Sequence, residues 1–252
     1  MRLYIDEDDV SSNWDPPETL IDVSQPIVSG VTPAIDNSGQ KWIFFGTGRF
    51  YVSGDQTTTA TQSIYGIKEK DTVVTKGTDL INVSAAQVET DGDLTTAVAT
   101  NTTFTSLVND IAANYEGWYL DLPPIEGVAG TAPATRVINS SALAGGVLFT
   151  TTYQPGLDLC TGEGFSRLYA LNYKTGTATP RVNVLGVDID GSGNEYAKSY
   201  IDLGVGFATT PSLHSGSKAG AKKVSVFTQL STGSIIRTEA TTVDSVRSGF
   251  RS

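Results

Sequence analysis

The sequence predicts an all-β fold with one minor helix, built as a repetitive β domain, and three observations carry that expectation. Short runs of aromatic and β-branched residues end in glycine-containing turns: residues 42–50 (WIFFGTGRF) form the strongest, and residues 144–152 (AGGVLFTTT) and 222–230 (KKVSVFTQL) repeat the pattern in weaker form. Each run follows another short strand-like segment, at residues 31–35, 136–143 and 208–213. The composition fits, because 26 glycines and abundant Thr and Ser suit many tight turns, while 39% apolar content allows a substantial core in 252 residues.

Taken in order, residues 2–5 read as a strand that starts without lead-in, and Asp6, Glu7, Asp8 and Asp9 as a solvated acidic turn. WDPP at residues 14–17 is a loop, since two prolines remove donors and hold the chain extended. Pro33 marks the innermost strand of a unit, with one edge turned to a channel. The central strand follows, then a polar loop at residues 55–61 and a strand at residues 63–68.

Residues 71–116 interrupt the pattern and hold the one convincing helix. Phe104, Leu107, Val108, Ile111 and Ala112 follow the i, i+3, i+4, i+7, i+8 spacing of a single helical face, so a helix over 104–115 is expected to brace the sheets. The remaining strands are expected at residues 117–122, 136–152, 168–171, 200–203, 224–230 and 234–238.

These segments group into three units, at residues 19–70, 117–180 and 200–242, with Thr32-Pro33 and Thr210-Pro211 at equivalent places. Three rough copies of a four-stranded sheet are the pattern of propeller blades with insertions. Since propellers close with four to eight blades, the expectation is one domain over 1–252 that forms a partial set of about three to four blades. The missing blades would lie upstream, be supplied by another chain or segment, or be absent.

Net charge is −10, and 17 Lys and Arg are scattered rather than clustered, which argues against a nucleic-acid partner. No stretch approaches the roughly 18 apolar residues of a membrane helix, so no membrane insertion by a helix is expected. Cys160 is the single cysteine, which leaves no intrachain disulfide within this sequence and a thiol expected in a glycine-rich turn.

The series QPIVSGVTPAI, WIFFGTGRFY, QSIYGIKEK, GWYLDLPP, GGVLFTTTYQP, LDLCTGEGFSRLYALNYKTG and YIDLGVGFATTPSL occurs in collinear order over most of the chain. In that order it resembles the C-terminal domain of the PilY-type tip-associated adhesins of type IV pili. The resemblance implies a modified β-propeller on a secreted, cell-surface protein at the pilus tip, exported through the periplasm with a signal peptide outside this sequence. Implied partners are the minor pilins of the tip complex and a host or abiotic surface. Implied roles are pilus assembly, opposition to retraction, surface attachment and twitching motility, with no enzymatic activity. The family's Asp-rich calcium loop ahead of a Gly-Asp-Leu-x-Gly-Asn strand is not found here, nor is the von Willebrand-like domain of some members.

Residues 187–195 (VDIDGSGNE) give the sharpest local signal for a cofactor, which would be calcium. Asp188, Asp190, Ser192 and Asn194 place oxygens at alternate positions with Gly193 sixth, as an EF-hand-type loop requires, although Ser199 stands where the bidentate Glu belongs. Asp-Gly-Ser-Gly-Asn is equally good chemistry for a hairpin turn. Arg49 is read as structural, satisfying carbonyls or an acid on a neighbouring blade. His214, the only histidine, is read as a loop residue. No catalytic residues are assigned. The alternative function is a quinoprotein dehydrogenase using pyrroloquinoline quinone, since LYALNYKTG also resembles the blade-closing turn of those propellers; one cysteine and three tryptophans count against it.

Overall fold

The computed structural model describes residues 16–156, 164–180, 184–215, 223–241 and 247–248. The strand expected at residues 2–5, the acidic turn after it, Trp14 and Cys160 lie outside the described residues.

In chain order the elements begin with β1 (Thr32–Ile35), β2 (Lys41–Gly46), β3 (Ser63–Lys68), β4 (Leu80–Asn82), β5 (Asp93–Val98) and β6 (Asn101–Thr103). The helix α1 (Phe104–Asn114) follows, then β7 (Gly117–Asp121), β8 (Ala142–Ala144), β9 (Val147–Gln154) and β10 (Phe165–Asn172). The last third holds β11 (Val187–Ile189), β12 (Glu195–Ala197), β13 (Tyr200–Val205), β14 (Ser212–Ser215), β15 (Lys223–Gln229), β16 (Ile235–Thr241) and β17 (Arg247–Ser248).

Three sheets carry the fold, in the orders β17-β1-β2-β3-β7-β4, β13-β10-β9-β8 and β14-β15-β16, with β5-β6 and β11-β12 as two-stranded ribbons. The strand at Gly117–Asp121 pairs antiparallel with β3, with Tyr65 opposite Tyr119, so it completes the first sheet instead of opening the second. Likewise β13 pairs with β10 and completes the second sheet instead of opening the third. Both strands, β7 between β3 and β4 and β13 at the edge of its sheet, arrive after long insertions, and local pattern alone gives no signal for which earlier strand they rejoin. Pro33 lies beside the stretch where β17 covers β1, whose pairs are Ala34 with Ser248 and Ile35 with Arg247.

Alternation along the strands builds two faces for the first sheet. Trp42, Phe44, Ile64, Trp118 and Leu120 point into the largest cluster, against Leu143, Leu148, Tyr169 and Leu171 of the second sheet. Phe45, Tyr65 and Ile67 point the other way, onto Leu20, Val74 and Leu80. The second sheet uses its opposite face, Phe149, Leu168 and Ala170, to meet Ala208, Val226 and Leu230 of the third. The sheets are therefore stacked like neighbouring blades, the first and second buried on both faces and the third packed through one.

Trp118 shows how tight the stacking is. Its indole Nε1 donates to the Tyr173 carbonyl at 2.8 Å. A Cβ at Gly66 or at Gly176 would lie 2.4 Å or 2.2 Å from the ring. The helix is capped at its start by Thr103, whose Oγ accepts from Ser106 N at 3.1 Å. At its end Lys68 of β3 donates to the carbonyls of Ile111 (2.7 Å), Ala112 (3.2 Å) and Tyr115 (2.7 Å). Burial lowers the Lys68 pKa, and Glu116 opposes that shift. Leu107 and Ile111 enter the main cluster, as the helical spacing predicts.

Candidate functional site

Gly46-Thr47-Gly48-Arg49 ends β2 at the junction between the first two sheets. Val137 N donates to the Thr47 carbonyl at 2.9 Å, so the backbones of the two sheets are joined directly. Such an approach excludes side chains: a Cβ on Gly46 would lie 2.3 Å from Val137 Cβ, and one on Gly48 would lie 2.4 Å from Arg136 Cβ. Gly48 also has φ +134°, a conformation that suits only glycine.

Two arginines and one aspartate lock this turn. Arg49 reaches the Asp55 carboxylate with NH2 at 2.9 Å and with Nε at 3.0 Å and 3.1 Å. The same carboxylate accepts from Tyr51 N (2.9 Å) and Val52 N (3.1 Å). The Tyr51 amide is the largest cause holding the Asp55 pKa below its ordinary value against the opposing effect of burial; Val52 and Arg49 add to it. Arg136, only 2% exposed, comes from the second sheet's side. It donates to the carbonyls of Ala134 (3.0 Å), Arg49 (2.8 Å), Asp55 and Thr58 (3.4 Å). Burial pushes its pKa down, opposed by Asp55 and Tyr153. The carbonyl-satisfying role expected of Arg49 thus falls to Arg136, and Arg49 pairs within its own turn.

Beside this junction lies a cleft of about 540 Å³ lined by Phe50, Tyr51, Ile138, Asn139, Tyr153 and Phe207. Tyr153 meets Phe50 edge-on at 5.3 Å and Phe207 edge-on at 5.8 Å between ring centroids. Three separate segments contribute, since Phe50 follows β2, Tyr153 is in β9 and Phe207 lies between β13 and β14.

Residues Asp188, Asp190, Ser192 and Asn194 lie on and around the tip of the β11–β12 hairpin. One oxygen of Asp190 accepts from Ser192 N and Asn194 N, each at 2.8 Å. The other accepts from Asn194 Nδ2 at 3.1 Å and the Tyr196 hydroxyl at 2.6 Å. These bonds, the Tyr196 hydroxyl first, bring the Asp190 pKa down to about 2. Asp188 instead pairs with Lys198 at 2.8 Å. Among the described residues no three His, Cys, Asp or Glu side chains are grouped to hold a metal ion. His214 lies within β14, opposite Ser225, and not in a loop. Leu213 turns toward the second cluster while His214 is exposed, so strand alternation places it.

No family model matches the chain. Two curated relatives from Xylella fastidiosa, each named a type IV pilus biogenesis factor PilY1 homolog, are 30% identical over 163 residues and 33% identical over 156. The matches take in 64% and 61% of this chain. The crystal structure of the Pseudomonas aeruginosa PilY1 C-terminal domain superposes with a TM-score of 0.54 over 85% of this chain and 45% of that one, at 17% identity. Over part of its length the chain is similar in sequence to these PilY1 homologs, and it shares the fold of the PilY1 C-terminal domain. The structural likeness supplies the fold, and the sequence likeness supplies the relatives, of whose own length the matches take in only 10% and 12%.

Arg136, Asp55 and the Tyr153–Phe207 pair escaped sequence reasoning. A signal existed for the first. Arg136 is the only charge in residues 127–157, and a lone charge in an apolar and small-residue run is costly to bury unless its donors are satisfied.

Proposed function

We propose that this domain is a non-enzymatic component of the type IV pilus machinery, acting at the cell surface in pilus biogenesis, retraction control, attachment and twitching motility, in contact with minor pilins. The similarity to two PilY1 homologues over 163 and 156 residues carries this reading, and the shared fold supports it. A stacked-sheet platform that presents side chains on its turns suits a binding and assembly role.

The test is genetic and uses the protein as the cell expresses it. Deleting the coding sequence is expected to reduce sheared surface pili, the twitching zone and surface attachment together, with restoration by the wild-type gene. Unchanged piliation and motility in the deletion strain would overturn the reading. For the quinoprotein alternative, the purified protein's visible absorbance decides, because a bound quinone colours its protein.

A further inference from the structure

The aromatic cleft beside the junction is built to receive a ring, and its one side-chain amide defines which ring. Among the described residues that line it, none is charged, and the nearest cation is the buried Arg136 guanidinium 5.8 Å from the Phe50 ring centroid. Phe50 and Tyr51 keep 37% and 74% of their surface exposed, although the turn that carries them is fixed by Asp55 and Arg136. Large apolar side chains held rigidly at the surface around a cavity of this size mark a binding site. Phe50, Tyr153 and Phe207 already form an edge-to-face series, which a further ring can extend. Asn139 also lines the cleft. Its Nδ2 donates to the Ala208 carbonyl at 2.6 Å, which turns its side-chain oxygen into the acceptor that remains.

We propose that this cleft binds the side chain of a partner polypeptide that combines an aromatic body with a hydrogen-bond donor, a tryptophan indole or tyrosine phenol. An anionic side chain finds no counter-charge among the lining residues, and a cationic one, which ring faces attract, is repelled by the Arg136 guanidinium 5.8 Å from the Phe50 ring centroid. The aromatic series favours a ring over an aliphatic chain, and the Asn139 oxygen favours a ring with N–H or O–H over a bare phenyl. This site goes beyond the pilus assignment and does not depend on it.

Ligand-observed saturation-transfer NMR on the full chain tests it with four amides: N-acetyl-tryptophanamide, N-acetyl-tyrosinamide, N-acetyl-phenylalaninamide and N-acetyl-leucinamide. Millimolar binding is expected for the first two, on the order of the limit for so few atoms, with phenylalaninamide several-fold weaker and leucinamide weaker still. Tyr51→Ala, at an exposed position, and Phe50→Leu are each expected to weaken tryptophanamide binding about fivefold or more while circular dichroism stays unchanged. Equal binding of leucinamide would overturn the choice of ligand class. Binding that both variants leave intact, or no saturable binding of any amide at tens of millimolar, would overturn the site.

Discussion

Asp55 and Asp190 do the same local chemistry in two different places. Each gathers two backbone N–H groups of its own turn into one carboxylate, and each has its pKa lowered chiefly by the hydrogen bonds it accepts. Around Asp55, however, the turn is crossed by Arg136 from another sheet and pressed against Gly46 and Gly48, so that the carboxylate helps hold two sheets together. Around Asp190 every partner lies within six residues along the chain, and the loop ends in solvent. An aspartate turn has structural weight only when tertiary contacts converge on it.

Breaking the junction should therefore cost far more than breaking the hairpin. Gly48→Ala forces a Cβ to 2.4 Å from Arg136 in a conformation that alanine resists. We expect a loss of about 3 kcal/mol or more, read as a lowered urea midpoint, or failure to accumulate folded protein. Arg136→Met keeps the volume but leaves several buried carbonyls without donors, and about 3 kcal/mol is expected from the same measurement. Were Arg136→Met as mild as a surface substitution, the junction would owe its strength to packing and not to these hydrogen bonds. Arg49→Gln removes an ion pair whose arginine is 49% exposed, so roughly 0.5–1 kcal/mol is expected, reduced further by salt.

How far the sequence foretold this follows the same division between local and distant contacts. The strand at Ser63–Lys68 follows directly from a short apolar run after a polar loop, and the helix beginning at Phe104 from helical spacing. The glycines of Gly46-Thr47-Gly48 announced a tight approach, but not its partner, because Val137 is 90 residues downstream. Gly117–Asp121 and Tyr200–Val205 were legible as strands and illegible as members of their sheets, since each rejoins its sheet after a long insertion. The cleft needs residues from three separate segments, so no local pattern contains it. By contrast, the Asp190 loop was fully visible, since its contacts are local; sequence left open only whether its oxygens face a cation or their own backbone.

The smallest expected effect is at Asp190, and its pH dependence isolates it. Its folded pKa, about 2, lies below the ordinary value of 3.8, so the folded state prefers the ionised form. The stabilisation is therefore fully present above the unfolded value, fades as pH falls from there, and is gone once pH has dropped through about 2. Asp190→Asn should lower the melting temperature at pH 7 by less than Arg49→Gln does, and the wild-type and variant curves should converge between pH 4 and pH 2. A constant gap across that range would mean that the charge is irrelevant and only the turn's shape counts. Calcium at about 5 mM probes the remaining use of the same oxygens. To bind there, the ion has to displace the Tyr196 hydroxyl and the Asn194 amide from Asp190 and Lys198 from Asp188. A melting temperature that rises in the wild type, but not in the Asp188→Ala, Asp190→Ala double variant, would assign the loop to a cation. The hydrogen bonds in place lead us to expect no such rise, with the carboxylate serving its own turn.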